Sequence, residues 1–321
     1  MKGFGPAEPL HTPRYAGVST FLRLPHTLRL DDVDVAFLGL PFDGESGVRA
    51  GARFGPKAIR EASLTLRPQY NPSQRVAVFE RLSVIDYGDA HAVPGFAERS
   101  FDKMAETIRT LHDGGVVPIG LGGDHSVLLP ELRAAAAKHG SLALLLFDAR
   151  VDHLAEDCAE TPGRCTLLER AAEEQLLDPT RSTVLGLRGG TDGVDDIARL
   201  RAMGYTILAW DELAQLGTGA VAAAVDRSEG KAFLSVDVNF VDPAFAPGTG
   251  APVCGGPTSM QALALLRSCR GLEIVGADVV EVFAELDTSR LTALLAATIA
   301  WETLSLIAAS RPAGEGGSSG L

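Results

Sequence analysis

The residues with the clearest capacity for chemistry follow one strongly apolar stretch near the middle of the chain. Leu142 to Phe147 is an uninterrupted run of apolar residues, which predicts a strand buried on both faces inside a parallel sheet. Asp148, Arg150 and Asp152 follow it and, at a period of two, would emerge on one side of the strand's end. Because charged groups are costly to remove from water, they need partners there. Those partners are either a metal ion or a network of ion pairs.

Polar side chains are also predicted at the ends of two other strands. His125 follows a strand and a Gly-Gly turn that lets the backbone approach a site closely, and Asp237 and Asn239 alternate along a strand. Considered one at a time, each residue has an ordinary structural role. His125 would be a histidine at a helix start, Asp148 and Asp152 would be turn or cap residues, and Asp237 with Asn239 would mark a surface strand edge. Taken together, one imidazole and three carboxylates at three adjacent strand ends suit a divalent ion such as manganese. The predicted metal ligands are His125, Asp148, Asp152 and Asp237.

The elements that would position these residues alternate between strands and helices. Strands are predicted over 34–41, 84–89, 116–121, 142–147, 183–187, 206–209, 232–239 and 272–280. Helices are predicted from residue 56 and over 97–113, 127–139, 166–177, 194–203, 211–224, 259–268 and 289–309. This alternation predicts an α/β fold: a single-domain, three-layer α/β/α structure with a mostly parallel sheet of about eight strands, whose ligands bind at the carboxyl ends of the strands. Residues 1–31 read as an extended arm and 310–321 as a disordered tail.

Composition excludes several classes of function. With 29 basic and 41 acidic residues, the formal net charge of −12 disfavours nucleic acid and anionic membranes as partners. No run reaches the length expected of a membrane span, and the first 25 residues lack the apolar segment of a secretory signal, so we expect a cytoplasmic protein. The four cysteines show no CxxC spacing, which argues against a zinc ribbon or thioredoxin chemistry.

Several stretches carry a resemblance to a known family. Residues 122–126 read GGDHS, 148–152 contain Asp-Ala-x-x-Asp, and 235–256 read SVDVNFVDPAFAPGTGAPVCGG. These are similar to signatures of the ureohydrolases, which include arginase and agmatinase. FDGESGVRAGARFGPKAIREAS at 42–63 and DVVEV at 278–282 resemble the agmatinase branch in particular. The resemblance extends from about residue 34 to the last helix.

The resemblance implies a pair of manganese ions that activate water for attack on a guanidinium carbon, with release of urea. The four predicted ligands match the complete protein shell of one of the two ions. Both departures belong to the other ion: Arg150 stands where the family has histidine, and Asn239 where it has aspartate. Family members are commonly trimers or hexamers, which implies a homo-oligomer.

Two further positions correspond to functional residues of the family. Glu281 matches the acid that contacts the substrate guanidinium, although an ion pair with Arg150 is an equal alternative. Arg164, or the cysteine after it, aligns with a histidine that assists proton transfer.

The charge balance of the site indicates that the two departures form an alternative arrangement and do not simply leave the second metal site empty. The family's four carboxylates balance two divalent ions, whereas three carboxylates here would balance one divalent ion and the guanidinium of Arg150. We therefore expect Arg150 where the second ion would lie, with Asn239 as its neutral hydrogen-bond partner.

These inferences lead to a primary and an alternative function. The primary one is a divergent agmatinase-like metallohydrolase that cleaves a C–N bond of a small guanidino or amidino compound with one divalent ion. Asp152 and Glu281 would be its catalytic residues, and the substrate-binding residues would be Glu281, Arg150, Asn239 and Arg164. The alternative is a catalytically inactive ureohydrolase fold, or one repurposed to a different reaction with Arg150 binding an anionic group.

Overall fold

Eight strands form one parallel sheet in a computed structural model that describes residues 3–7, 13–44, 49–151, 166–191 and 193–311. They are β1 (Val35–Gly39), β4 (Val84–Asp89), β5 (Val117–Leu121), β6 (Ala143–Phe147), β7 (Thr183–Leu187), β8 (Thr206–Ala209), β9 (Lys231–Asp237) and β10 (Glu273–Val280). Their order across the sheet is β4-β1-β5-β10-β9-β6-β7-β8. A separate antiparallel hairpin, which the sequence did not predict, pairs β2 (Tyr70–Asn71) with β3 (Val76–Ala77).

Helices cover both faces of the sheet. They are α1 (Gly55–Ser63), α2 (Ala97–Asp113), α3 (Leu128–His139), α4 (Leu167–Glu173), α5 (Asp196–Met203), α6 (Trp210–Leu216), α7 (Thr218–Ser228), α8 (Ser259–Arg267) and α9 (Leu291–Ser310). One apolar core joins the sheet to α1 and α6–α9, and a second joins it to α2–α5. Successive residues of each strand pack into opposite cores, as Leu144 and Leu145 of β6 do. The predicted three-layer α/β/α fold with about eight strands is confirmed.

Two predicted helices are shorter than the sequence pattern suggested, because the backbone turns left-handed. The segment 211–224 is divided into α6 and α7 at Gly217, whose φ is +61°. Helix α4 stops at Glu173, and Gln175 follows with a φ of +59°, so the apolar positions of 176 and 177 lie beyond the helix.

The N-terminal arm is more closely packed than predicted. Residues 21–23 form a single 3₁₀ turn, and Phe21 and Leu24 are buried in the core on the α1 side. The backbone N–H of Phe21 donates to Asp86 at 2.7 Å, so the arm is held by the first sheet edge. Helix α9 ends at Ser310, and residues 312–321 of the predicted tail lie outside the described residues.

Helix α9 corrects the expectation about membrane spans. Over Leu291–Ser310 it is long and apolar enough to cross a bilayer, with a mean hydropathy of 1.6. However, 78% of its apolar window is buried inside the fold, as in the core helix of a soluble protein. The length of this helix therefore reflects its position in the core, where it packs on α1 and α8.

The turn after β5 fits closely between its neighbours. Gly123 N–H donates to Leu40 O at 2.9 Å, and Gly123 O accepts the N–H of Glu281 at 2.9 Å. A Cβ built on Gly123 would lie 2.1 Å from Phe42 O, which is backbone that cannot move independently. Glycine is therefore required here for the strand ends to approach each other.

A buried histidine makes stability depend on pH. His112, at the end of α2, is 3% exposed, and its ring packs 5.1 Å from that of His139. Burial is the main cause that lowers the pKa of His112 to about 4, with contributions from His139 and Lys138 and opposition from Asp113. Because an unfolded histidine binds its proton near pH 6.5, the unfolded state holds more protons between pH 6.5 and 4, and stability falls as pH falls through that range.

We predict that lowering the pH from 7 to 5 removes about 2 kcal/mol of unfolding free energy through His112. His112→Phe keeps a ring against His139 but cannot titrate, so its loss between the two pH values should be smaller by that amount. Urea unfolding at both pH values measures the difference, with exposed His91→Gln as the control. Equal losses in wild type and His112→Phe would contradict the assignment.

We also predict that Gly123→Ala destabilises the protein by about 2–4 kcal/mol, because the new methyl group overlaps the backbone of residue 42. Gly219→Ala is the matched control: that glycine lies on α7 with no atom within 4 Å of its Cβ position. Alanine there should be neutral or stabilise by about 0.5–1 kcal/mol. Thermal unfolding of both variants tests the prediction, and similar effects would refute the packing argument.

Candidate functional site

Three of the four predicted metal ligands converge. One ligand atom each from His125, Asp148 and Asp237 lies within 4.8 Å of the others. His125 Nδ1 is 3.1 Å from Asp148 Oδ2 and 3.5 Å from Asp237 Oδ2. The residues are 3%, 1% and 0% exposed, so none of them lies on a surface strand edge.

Both carboxylates are fixed by the backbone just beyond them. Asp148 Oδ1 accepts the N–H of Arg150 at 2.9 Å, and Asp237 Oδ1 accepts the N–H of Asn239 at 2.7 Å. These turns end the regular strands, so β6 stops at Phe147 and β9 stops at Asp237. The predicted alternation of Arg150 and Asn239 along extended strands is therefore wrong: Asn239 lies in a 3₁₀ turn over residues 238–240.

Glu281 enters the site from the end of β10, which lies between two of the strands that carry the predicted ligands. The ends of β5, β9 and β6 were expected to be adjacent, but β10 lies between β5 and β9. Glu281 follows β10 with a φ of +68°, a strained conformation for a residue other than glycine. Its Oε1 accepts the N–H of His125 at 2.9 Å. This bond joins Glu281, predicted to bind the substrate, to His125, predicted to bind the metal.

Asn239 and Arg150 do not pair as predicted. Asn239 Nδ2 donates to Asp237 Oδ2 at 2.7 Å, and its Oδ1 accepts the N–H of Ala149 at 3.0 Å, so its amide is already used. Arg150 is half-buried, and its Nε has no hydrogen-bond partner among the described residues. Within the described part of the chain, the Arg150 guanidinium forms no salt bridge with a carboxylate, Glu281 included.

Two predicted site residues cannot be placed. Asp152 and Arg164 lie in the segment 152–165, outside the described residues. Their roles as fourth ligand, catalytic base and substrate-binding residue stay predictions.

Ser235 and Asp278 support His125 from behind and were not singled out from the sequence. His125 Nε2 lies 3.1 Å from Ser235 Oγ, and that hydroxyl donates to Asp278 Oδ1 at 2.6 Å. Since the serine has only one hydrogen, its oxygen accepts the Nε2 proton of His125. Nδ1 is then the nitrogen that faces Asp148 and Asp237, as required of a metal-binding histidine. In the sequence, Ser235 could have been recognised because it lies two residues before Asp237, on the same side of the strand.

Arg188 is a second residue whose role was not predicted. Its guanidinium donates to the carbonyl oxygens of Asn239 and Phe240 at 2.9 Å each and of Val253 at 2.8 Å. Burial lowers its pKa, while nearby carboxylates, Asp148 among them, act in the opposite direction. Arg188 thus fastens two loops beside the site and adds positive charge to a strongly acidic cluster.

Known proteins match both the fold and the motifs of this chain. The arginase family model matches residues 33–305. A guanidinopropionase from Pseudomonas aeruginosa is 40% identical over 95% of this chain and 96% of its own, and an agmatinase from Citrobacter koseri is 39% identical over 91% and 94%. The solved proclavaminate amidino hydrolase from Streptomyces clavuligerus aligns with a TM-score of 0.86 at 35% identity, covering 94% of this chain and 100% of that one. The chain belongs to the arginase family, as its motifs predicted.

Proposed function

We propose that this protein hydrolyses the amidino C–N bond of a small guanidino compound and releases urea, using one divalent metal ion per chain. The observation that carries the proposal is the buried cluster of His125, Asp148 and Asp237, with ligand atoms within 4.8 Å of one another. Relatives named guanidinopropionase and agmatinase support the reaction class.

The donor set fits a divalent cation such as manganese. Two carboxylates and one imidazole provide the oxygen and nitrogen ligands that such ions take in proteins, and Asp152 would complete the shell. Ser235 occupies His125 Nε2, so Nδ1 is available on the side of the carboxylates. A metal ion held there supplies a Lewis acid that activates water.

The remaining roles fall to the chain's own side chains. Asp152 would accept the proton of the attacking water. Glu281 would orient the substrate guanidinium, and its hydrogen bond to His125 N–H keeps its carboxylate beside the cluster. The strained backbone at Glu281 is consistent with a position held for function rather than for local stability.

We propose further that the substrate is a guanidino acid, whose carboxylate Arg150 binds. The Arg150 guanidinium has no salt bridge to a carboxylate in the described part of the chain, and its peptide N–H is fixed by Asp148. Its backbone is therefore anchored beside the cluster, and its positive charge is not used by another described carboxylate. Sequence identity does not decide between substrates, because the guanidinopropionase and the agmatinase are 40% and 39% identical to this chain.

One contact favours the alternative of a ligand-binding protein without turnover. Asn239 Nδ2 donates to Asp237 Oδ2, the oxygen that lies 3.5 Å from His125 Nδ1. This hydrogen bond uses acceptor capacity of a predicted ligand. A site that binds its ligand without hydrolysis would retain this arrangement.

To test the function, urea release should be measured with manganese-loaded protein on 3-guanidinopropionate, 4-guanidinobutyrate and agmatine. We expect kcat/KM for the acids to exceed that for agmatine by about tenfold or more, equivalent to about 1.4 kcal/mol. Arg150→Met should remove most of this preference by raising KM for the acids, whereas exposed Arg109→Met should not. Binding of the acids without any urea would support the alternative.

Metal content tests the altered half of the site separately. Elemental analysis after manganese reconstitution should find about one ion per chain, and none in Asp237→Ala. The double variant Arg150→His/Asn239→Asp should bind about two, because it restores both family ligands of the second ion. The single variant Asn239→Asp serves as its control and should retain one. Two ions in the wild type would overturn the proposal of a single-metal site.

A further inference from the structure

A buried pair of carboxyl groups lies beneath the site. Glu131 of α3 and Asp278 of β10 are each 1% exposed, and each closely approaches the space above Gly120 of β5. A Cβ built on Gly120 would lie 2.4 Å from Glu131 Oε1 and 3.2 Å from the Cβ of Asp278. The pair thus occupies room that only a glycine at this position leaves.

Burial and proximity favour a single proton between the two carboxyl groups. Among the described residues, Glu131 Oε2 and Asp278 Oδ2 have no N–H or O–H donor. Burial, and then the facing Asp278, raise the pKa of Glu131 well above its usual range, and the two side chains are hydrogen-bonded. Burial also raises the pKa of Asp278, but His125 and the donors at Ser235 and Val236 N favour its charged form. Glu131 is therefore the acid of the pair, and Asp278 is the acceptor.

This hydrogen bond continues to the metal-facing histidine. Asp278 accepts the hydroxyl of Ser235 at 2.6 Å, and the same hydroxyl oxygen lies 3.1 Å from His125 Nε2. The direction of each bond depends on the one before it. While Asp278 accepts, Ser235 donates to it and accepts from Nε2; if Asp278 held the proton, Ser235 could donate to Nε2 instead.

We propose that Glu131 is a positioning residue: its carboxylic acid keeps Asp278 an acceptor and, through Ser235, keeps the proton of His125 on Nε2 so that Nδ1 binds the metal. The inference rests on the metal site proposed above. It adds a residue of α3 that is not a predicted ligand to the determinants of metal affinity. Second-layer partners of ligating histidines typically change metal affinity by about 10–100-fold.

The test compares Glu131→Leu, Glu131→Gln and Ser235→Ala. Leucine is apolar and similar in size, so it should fold stably, yet it leaves Asp278 to take the proton itself. Its manganese dissociation constant, measured by calorimetry, should rise about 10–100-fold, and Ser235→Ala should behave alike. Glutamine donates an N–H in place of the acid and should stay within about threefold of wild type. A purely structural role would change thermal stability and leave the dissociation constants equal.

A second readout does not need metal. Histidine-selective ¹⁵N NMR of the metal-free protein, with His125 assigned from its loss in His125→Asn, reports whether Nε2 carries a proton. We expect that proton in wild type and Glu131→Gln and its loss in Glu131→Leu. Wild type without it would overturn the proposal, as would wild-type metal affinity in Glu131→Leu. If wild type binds no manganese but shows the proton pattern, the proposed metal function fails while the role of Glu131 stands.

Discussion

The site depends on aspartate side chains that accept a backbone N–H two residues further along the chain. At the ends of β6 and β9, one oxygen of Asp148 and of Asp237 holds that N–H, and the other oxygen lies beside His125. Rotating either side chain away would leave a buried N–H without a partner, at a cost of about 1–3 kcal/mol. The fold therefore sets the positions of these carboxylates without help from a ligand.

Burying these carboxylates is energetically costly, and the nearby positive charge offsets only part of that cost. Asp148 and Asp237 are fully buried. The nearby guanidinium of Arg188 donates its N–H groups to backbone carbonyl oxygens. Burial and the facing Asp278 raise the pKa of Glu131, which disfavours a further pair of buried charges. The remaining negative charge therefore lies at the cluster of His125, Asp148 and Asp237, which is where the proposed cation would bind.

The sequence was sufficient for the fold and for most of the cluster, because both follow from local patterns. Apolar runs predicted the eight sheet strands, and the placement of polar residues after them predicted His125, Asp148 and Asp237 as one site. The ends of the strands were harder to predict, since Asp237 stops its strand by a side-chain hydrogen bond that periodicity does not reveal. Glu131 was missed because a single acid on an amphipathic helix reads as a surface residue until α3 is docked on the sheet.

The position of β10 has a consequence for synthesis on the ribosome. It is the last of the described strands, yet it lies at the centre of the sheet, between β5 and β9. Until residues 273–280 emerge, β4-β1-β5 and β9-β6-β7-β8 are half-sheets with open inner edges, one carrying His125 and the other Asp148 and Asp237. The cluster is therefore expected to assemble late in translation, because a nascent chain that ends before Glu273 contains His125, Asp148 and Asp237 but lacks the strand that joins their two half-sheets.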